Sequence, residues 1–172
     1  FAQQEEVGMV GPKMYYPDDS IWNTGIALSL NASVTLLHNK IPRESSGYYG
    51  QASIVQNFSA LAGACIMIRK DLFLEVGGFD EVNFAVAHND MDLSLKLVTM
   101  GKRLVFTPYA ELYHHESKSR GSDFVGDNLK RFIAEDTRFL HKWKEYLRYG
   151  DPFFNINFKD GATALLQQPQ FF

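Results

Sequence analysis

The segment "VAHNDMDLSLKLVTMG", residues 86–101, decides how the rest of the chain is read. Apolar residues at 91, 93, 95, 97, 98 and 100 cover more than one stripe of a helix. That predicts a helix from about Asp90 to Met100 packed on more than one side, with Gly101 as its stop. Asp90 and Asp92 open it, and the pair admits two compatible readings. Asn89 or Asp90 caps the first turn while Asp92 complements the positive end of the helix dipole. Equally, a carboxylate that follows a loop and opens a packed helix is rigidly held and faces a cleft, as a general base must.

Composition narrows the classes. A chain of 172 residues fits one domain with a single core, residues 1–172. Hydrophobic residues at 45% against 22% charged are ordinary for a folded, soluble protein. A net charge of −3 excludes a general pull toward nucleic acid or anionic membrane, so a phosphate-bearing ligand must be gripped locally. One cysteine, Cys65, precludes an internal disulfide and points to a reducing compartment, hence the cytoplasm; in its apolar run it reads as a small buried hydrophobe. No apolar run reaches the ~18 residues of a membrane span. The start, "FAQQEEVGMVG", lacks the basic-then-apolar layout of a signal peptide and, without methionine, reads as cut from something longer.

Working outward, residues 7–16 read as a strand turning at Gly11-Pro12, and 16–22 as turn chemistry. One or two strands fit Asn23–Lys40, and a polar, mobile loop fits 42–51. "NFSALAGACIMIRK" (57–70) reads as a central strand. A short helix over 71–78 follows, capped by Asp71 and ended by Gly77-Gly78. Residues 102–109 and 110–115 are strands broken near Pro108. Residues 127–148 form a helix in two pieces that buries Leu129, Phe132, Ile133, Phe139, Leu140, Trp143 and Leu147. Mixed strands and helices without a full set of βαβ units make the class α/β or α+β.

Several further residues could carry chemistry. His114 and His115 are adjacent on a strand, so only one of them faces a given cleft. A neutral imidazole ligates divalent ions, but a strand-end histidine bonded to a loop explains the pair as well. "SKSRG" (117–121) could clamp a phosphate or be a solvated turn. Asp18-Asp19 sits in a proline-led turn and is read as that turn. A cluster of His88, Asp90 and Asp92 lacks a second spaced pair of ligands.

Together these segments resemble the family-two glycosyltransferases. "VGMVGPKMYYPDDSIWNTGI", "SALAGACIMIRKDLFLEVGGFDE" and "NDMDLSLKLVTMGKRLVFTPYAELYHHESKSRG" follow three of that family's blocks in order. "DPFFNINF" is similar to the tail of its rhamnosyltransferase-like members, so the likeness runs from Val7 to Phe158. The resemblance implies the GT-A nucleotide-diphospho-sugar transferase fold, a mixed sheet flanked by helices. It implies an inverting transfer with Asp90 as base, and Asn89 where the family usually has glutamate. Gly63 and Ala64 would lie under the sugar, and Ser119 and Arg120 near the leaving diphosphate. His114, or else His115, would contact a divalent cation, Mn²⁺ or Mg²⁺. Implied partners are a nucleotide-sugar donor and a glycan or lipid-linked acceptor, in polysaccharide biosynthesis for the cell envelope. Peripheral membrane association at the inner face and oligomerisation stay open. The nucleotide-binding half with its two-aspartate motif has no counterpart here, so the chain is expected to be an acceptor-side, C-terminal part, inactive alone. The alternative is a non-catalytic carbohydrate-binding or assembly module on the same scaffold, with Tyr48-Tyr49 as a stacking surface. A hydrolase built on His88, Asp90 and His114 is a third and weaker reading.

Overall fold

In the computed structural model, residues 1–29, 33–115 and 125–154 are described. The strands are β1 (Val7–Tyr15), β2 (Ile21–Asn23), β3 (Ile26–Ser29), β4 (Ser33–Leu36), β5 (Gln56–Asn57) and β6 (Arg103–Tyr113). The helices are α1 (Lys70–Glu75), α2 (Asn89–Thr99), α3 (Gly126–Lys142) and α4 (Lys144–Leu147). One mixed sheet has the order β2-β1-β6-β5: β1 and β6 are parallel, and the edge strands are antiparallel to them. β3 and β4 form a separate antiparallel hairpin. This is the mixed sheet with flanking helices that the resemblance implies.

The central pair is hydrophobic because it is covered on both faces. Met9 packs with Leu93, Leu97, Leu104 and Phe106 in one cluster, and Met14 joins Trp22, Met91, Leu95 and Phe139 in another. α2 therefore presents leucines to both clusters, as its wide apolar face predicts. It ends in a Schellman motif: Lys102 N–H bonds Leu97 O at 3.0 Å and Gly101 N–H bonds Val98 O at 2.9 Å. Gly101 takes φ 79°, which any side chain would resist. The chain reverses there into β6, so the N-terminus of α2 lies toward the C-terminal half of that strand.

Five expectations need correction. β1 does not turn at Gly11-Pro12 but continues to Tyr15. Proline is tolerated because the register slips beside it: Pro12 faces Thr107, whereas Lys13 faces Glu111, and β6 spends residues 108–110 as a bulge. The break near Pro108 is thus one of register within a single strand. Residues 57–70 are not a central strand; only Asn57 belongs to one, and single bridges join Ala60 to Ile26 and Met67 to Val10. Their run of small and branched residues fits close packing against α2 as well as it fits a sheet. α1 begins at Lys70 behind Arg69, so Asp71 lies in its first turn and is not its cap. In α3, Leu129 and Ile133 are 37% and 56% exposed, while Glu135 is buried. Leu129 and Ile133 thus face outward, and Glu135 turns inward to accept from the backbone N–H of Ala87.

Asp92, expected merely to complement a dipole, is fully buried and joins three elements. Its Oδ1 accepts from Trp143 Nε1 at 2.8 Å and lies 2.7 Å from Lys142 Nζ, and its Oδ2 is 3.2 Å from Lys96 Nζ. Lys142 also reaches Asp80 at 3.3 Å. A buried carboxylate is tolerable only when it is paired and hydrogen-bonded. Replacing Asp92 by alanine removes the acceptor of the indole N–H and one partner of each lysine. The expected destabilisation is about 3 kcal/mol by denaturant unfolding. A loss under ~1 kcal/mol would rank the cluster with ordinary surface ion pairs.

Candidate active site

The site is built where residues 61–65 cross α2. Two backbone donors there are met by side chains of that helix. Leu61 N–H reaches Ser94 Oγ at 3.3 Å, and Gly63 N–H donates to Asp90 Oδ2 at 2.6 Å. Asp90 and Ser94 are one turn apart, so they present to the same side of the helix. This answers the question of the cap. The residue before the helix is His88, whose side chain caps nothing, and Asn89 is already helical. Asp90 instead accepts from its neighbour Met91 N–H at 3.0 Å with Oδ1 and from Gly63 with Oδ2.

The electrostatics suit proton transfer. Asp90 keeps a partly exposed surface, yet the protein packed around it pushes its carboxyl above the ordinary carboxylate value. The bonds from Gly63 and Met91 oppose that shift without cancelling it. A carboxylate held rigidly and made more basic is a competent acceptor for a hydroxyl proton.

Beside it opens a cleft of about 630 Å³, lined by Gly63, Ala64, Cys65, Ile66, Ile68, Lys70, Phe73 and Phe79. Gly63 and Ala64 are exposed at its edge. Cys65 is only half-buried in the wall, which corrects its reading as a core hydrophobe. Phe73 and Phe79 meet edge-to-face at 5.5 Å.

His114 lies at the end of β6, where its N–H bonds Tyr15 O at 2.7 Å. Its ring packs edge-on to Trp22 at 4.3 Å, and Trp22 shares a core cluster with Ala62 and Met91. His115 is exposed. Among the described residues no group of three His, Cys, Asp or Glu side chains clusters as a metal site. The described residues therefore supply at most part of a divalent-cation site. Ser119 and Arg120 lie outside the described residues. Asp18 and Asp19 form the expected turn. Asp18 Oδ1 accepts from Ser20 N–H at 3.0 Å, and Asp19 pairs with Arg43 at 3.2 Å.

Sequence reasoning missed two features. One is Arg43, which joins the 42–51 loop to Glu111 at 2.5 Å and stacks over Tyr15 at 4.3 Å. The other is His88, two residues before Asp90, held at φ 64°. A left-handed conformation costs a non-glycine residue about 1–2 kcal/mol, and no local pattern announces it.

With this geometry, the family can be settled by comparison. The model of glycosyl transferase family group 2 matches residues 1–144. The chain belongs to that family. Its mixed α/β architecture is accordingly GT-A-like. Over 156 residues it is 40% identical to the uncharacterized protein y4gI of Sinorhizobium fredii, covering 91% of this chain and 17% of that one. It is 30% identical over 170 residues to the O-antigen biosynthesis protein RfbC of Myxococcus xanthus, covering 94% of this chain and 12% of the relative. An N-acetylglucosaminyl-diphospho-decaprenol L-rhamnosyltransferase of Mycobacterium tuberculosis is 41% identical over 93 residues, 52% of this chain and 30% of its own. The chain thus spans less than a fifth of the first two relatives. No solved structure matches it. No helix among the described residues is long and apolar enough to cross a membrane.

Glycine at position 63 tests the site directly. A Cβ there would fall 2.9 Å from Asp90 Cβ and 3.2 Å from its Oδ2, so the carboxylate must move. Gly63→Ala should therefore lower the rate of the family reaction on the order of tenfold or more, since ångström-scale misplacement is costly. The circular dichroism spectrum should not change. A fully active Gly63→Ala protein would show that the Gly63–Asp90 contact is dispensable.

Proposed function

We propose that this chain carries the acceptor side of an inverting glycosyl transfer, with Asp90 as general base. The acceptor hydroxyl gives its proton to the Asp90 carboxylate as its oxygen attacks the anomeric carbon of a nucleotide-sugar. The bond from that carbon to the diphosphate oxygen breaks, its electrons leave with the nucleoside diphosphate, and the anomeric configuration inverts. The observation that carries this reading is Asp90 itself: fixed by Gly63 N–H beside an open cleft, and more basic than an ordinary aspartate. Such a base supplies roughly 10²–10⁴-fold of the rate.

The cleft supports the rest. Gly63 and Ala64 leave room for a sugar at the base, while Phe73, Phe79 and Lys70 line the side by which an acceptor enters. The acceptor in this reading is a glycan or a lipid-linked saccharide, and the process is polysaccharide assembly, as the names of two relatives suggest. Asn89, first in α2, would offer its amide to a sugar hydroxyl, and Ser119 and Arg120 would meet the leaving diphosphate. A divalent cation would neutralise that diphosphate; His114 would be one ligand, and oxygen ligands from outside the described residues would complete the set. In this reading donor binding belongs largely to sequence beyond this chain, which acts at the cytoplasmic side of the envelope.

A second reading, a carbohydrate-binding module, draws on Tyr49, which is 68% exposed and packs edge-to-face on Tyr48 at 4.5 Å. Glycan binding that requires neither nucleotide nor metal, with no turnover, would favour it.

Asp90→Asn in the intact protein, assayed with Mn²⁺ or Mg²⁺ and a panel of nucleotide-sugars, should lower kcat by at least ~10²-fold. Donor affinity should not change. Unaltered turnover would remove Asp90 from the mechanism. The base must be unprotonated, so the wild-type rate should fall as pH drops through a midpoint above the ordinary aspartate value of about 4. An acid limb at or below that value would contradict the environment described for Asp90.

A further inference from the structure

His88 has no place in the proposed chemistry, yet it is buried against residues of α3. Its ring is almost wholly buried, stacked on Phe139 at 4.9 Å and 15° and tilted against Phe132 at 5.6 Å. Its Nε2 lies 3.0 Å from Asp136 Oδ1. One residue earlier, Ala87 N–H donates to the buried Glu135 Oε2 at 2.5 Å. One face of α3, comprising Phe132, Glu135, Asp136 and Phe139, thus grips the two residues that lead into α2. The left-handed backbone of His88 then turns the chain so that Asp90 meets Gly63.

We propose that His88 is a positioning residue for Asp90, and that α3 clamps the base through it. The inference rests on Asp90 being the base, and it explains what the fold otherwise leaves unaccounted for. A buried glutamate and a strained, buried histidine meet at one short turn, two residues from the reacting carboxylate. Either alone would be a costly way to begin a helix. Together they fix the first turn of α2 through the two residues that precede it. Asp90 is then held between two supports: Gly63 N–H at its oxygen, and the α3 face at its backbone.

The test needs no knowledge of the substrate. Gly63 is exposed, so protection of its amide from hydrogen exchange reports its bond to Asp90. His88→Gly removes the ring but accepts the left-handed backbone, and His88→Asn tolerates it too. In the intact protein, both variants should speed exchange at Gly63 at least tenfold, and Asp136→Asn should do so by less. Amides of the central strand, such as Val105 and Phe106, should keep their wild-type rates. Equal protection of Gly63 in wild type and both His88 variants overturns the proposal. So does uniform acceleration across β6, which would mark His88 as a support of the whole fold.

Transfer kinetics give the second arm, with Asp90→Asn run in parallel. The proposal expects His88→Gly to lower kcat at least tenfold with the donor KM unchanged. If Asp90→Asn is inactive and His88→Gly is fully active, the clamp fails while the base stands. If Asp90→Asn is fully active, both fall.

Discussion

Everything about the candidate site depends on backbone donors that have no strand to pair with. Residues 61–63 run over α2, and the N–H groups of buried Leu61 and of the more exposed Gly63 must still be satisfied. Ser94 and Asp90 do this, and the consequence is that a helix side chain, in place of a ladder, fixes the loop. The arrangement also explains the odd polarity of α2. Asp90 and Ser94 point one way, to the loop. Asp92, about half a turn away, points toward the junction of α3 and α4, where Lys142 and Trp143 receive it. Asp90 and Ser94 thus serve one segment, the 61–63 loop, while Asp92 serves another, the junction of α3 and α4. The helix is thus the hub through which the cleft wall, the C-terminal helices and the sheet hold one geometry.

What was legible in the sequence was what local pattern encodes. The limits of α2, its stop at Gly101, the double-glycine end of α1 and the two pieces of the C-terminal helix all follow from periodicity and from glycine's backbone freedom. The order of motifs carried the family. Less legible was anything set by a distant partner. Residues 57–70 carry the composition of a central strand, and no single-segment pattern shows that Ser94 and Asp90 intercept their donors. Glu135 looks like a solvated residue on an amphipathic helix until Ala87 N–H is found beside it. His88 looks like an ordinary loop histidine because a left-handed residue other than glycine leaves no mark on composition. The prominence of Asp90 was visible, but its means of support was not: it was expected to cap, and it spends its second oxygen on Gly63.

The chemistry and the architecture meet in the same carboxylate. Packing around Asp90 makes it a better proton acceptor, while two N–H bonds hold it in place and favour its charged form. Dehydration without those bonds would merely protonate it, and the bonds without dehydration would make it a weak base. Asp92 shows the other outcome of the same physics. Surrounded by two ammonium groups and an indole N–H, it has no room for a substrate and serves only to join elements. Two aspartates one residue apart therefore do different work because the helix turns them toward different neighbours.

The parallel pairing of β1 with β6 has a consequence for how the molecule comes into being. Val7 faces Arg103 in that ladder, so the sheet's centre closes only after nearly the whole described core has been synthesised. Contacts between such distant segments form late, because the entropy of closing the intervening chain is spent before any bond repays it. α2 packs against both of these strands and precedes β6 directly, so it docks in the same step. A nascent chain on the ribosome accordingly has no half-made site. The carboxylate stays an ordinary hydrated aspartate, with ordinary acidity, until the last central strand is in place.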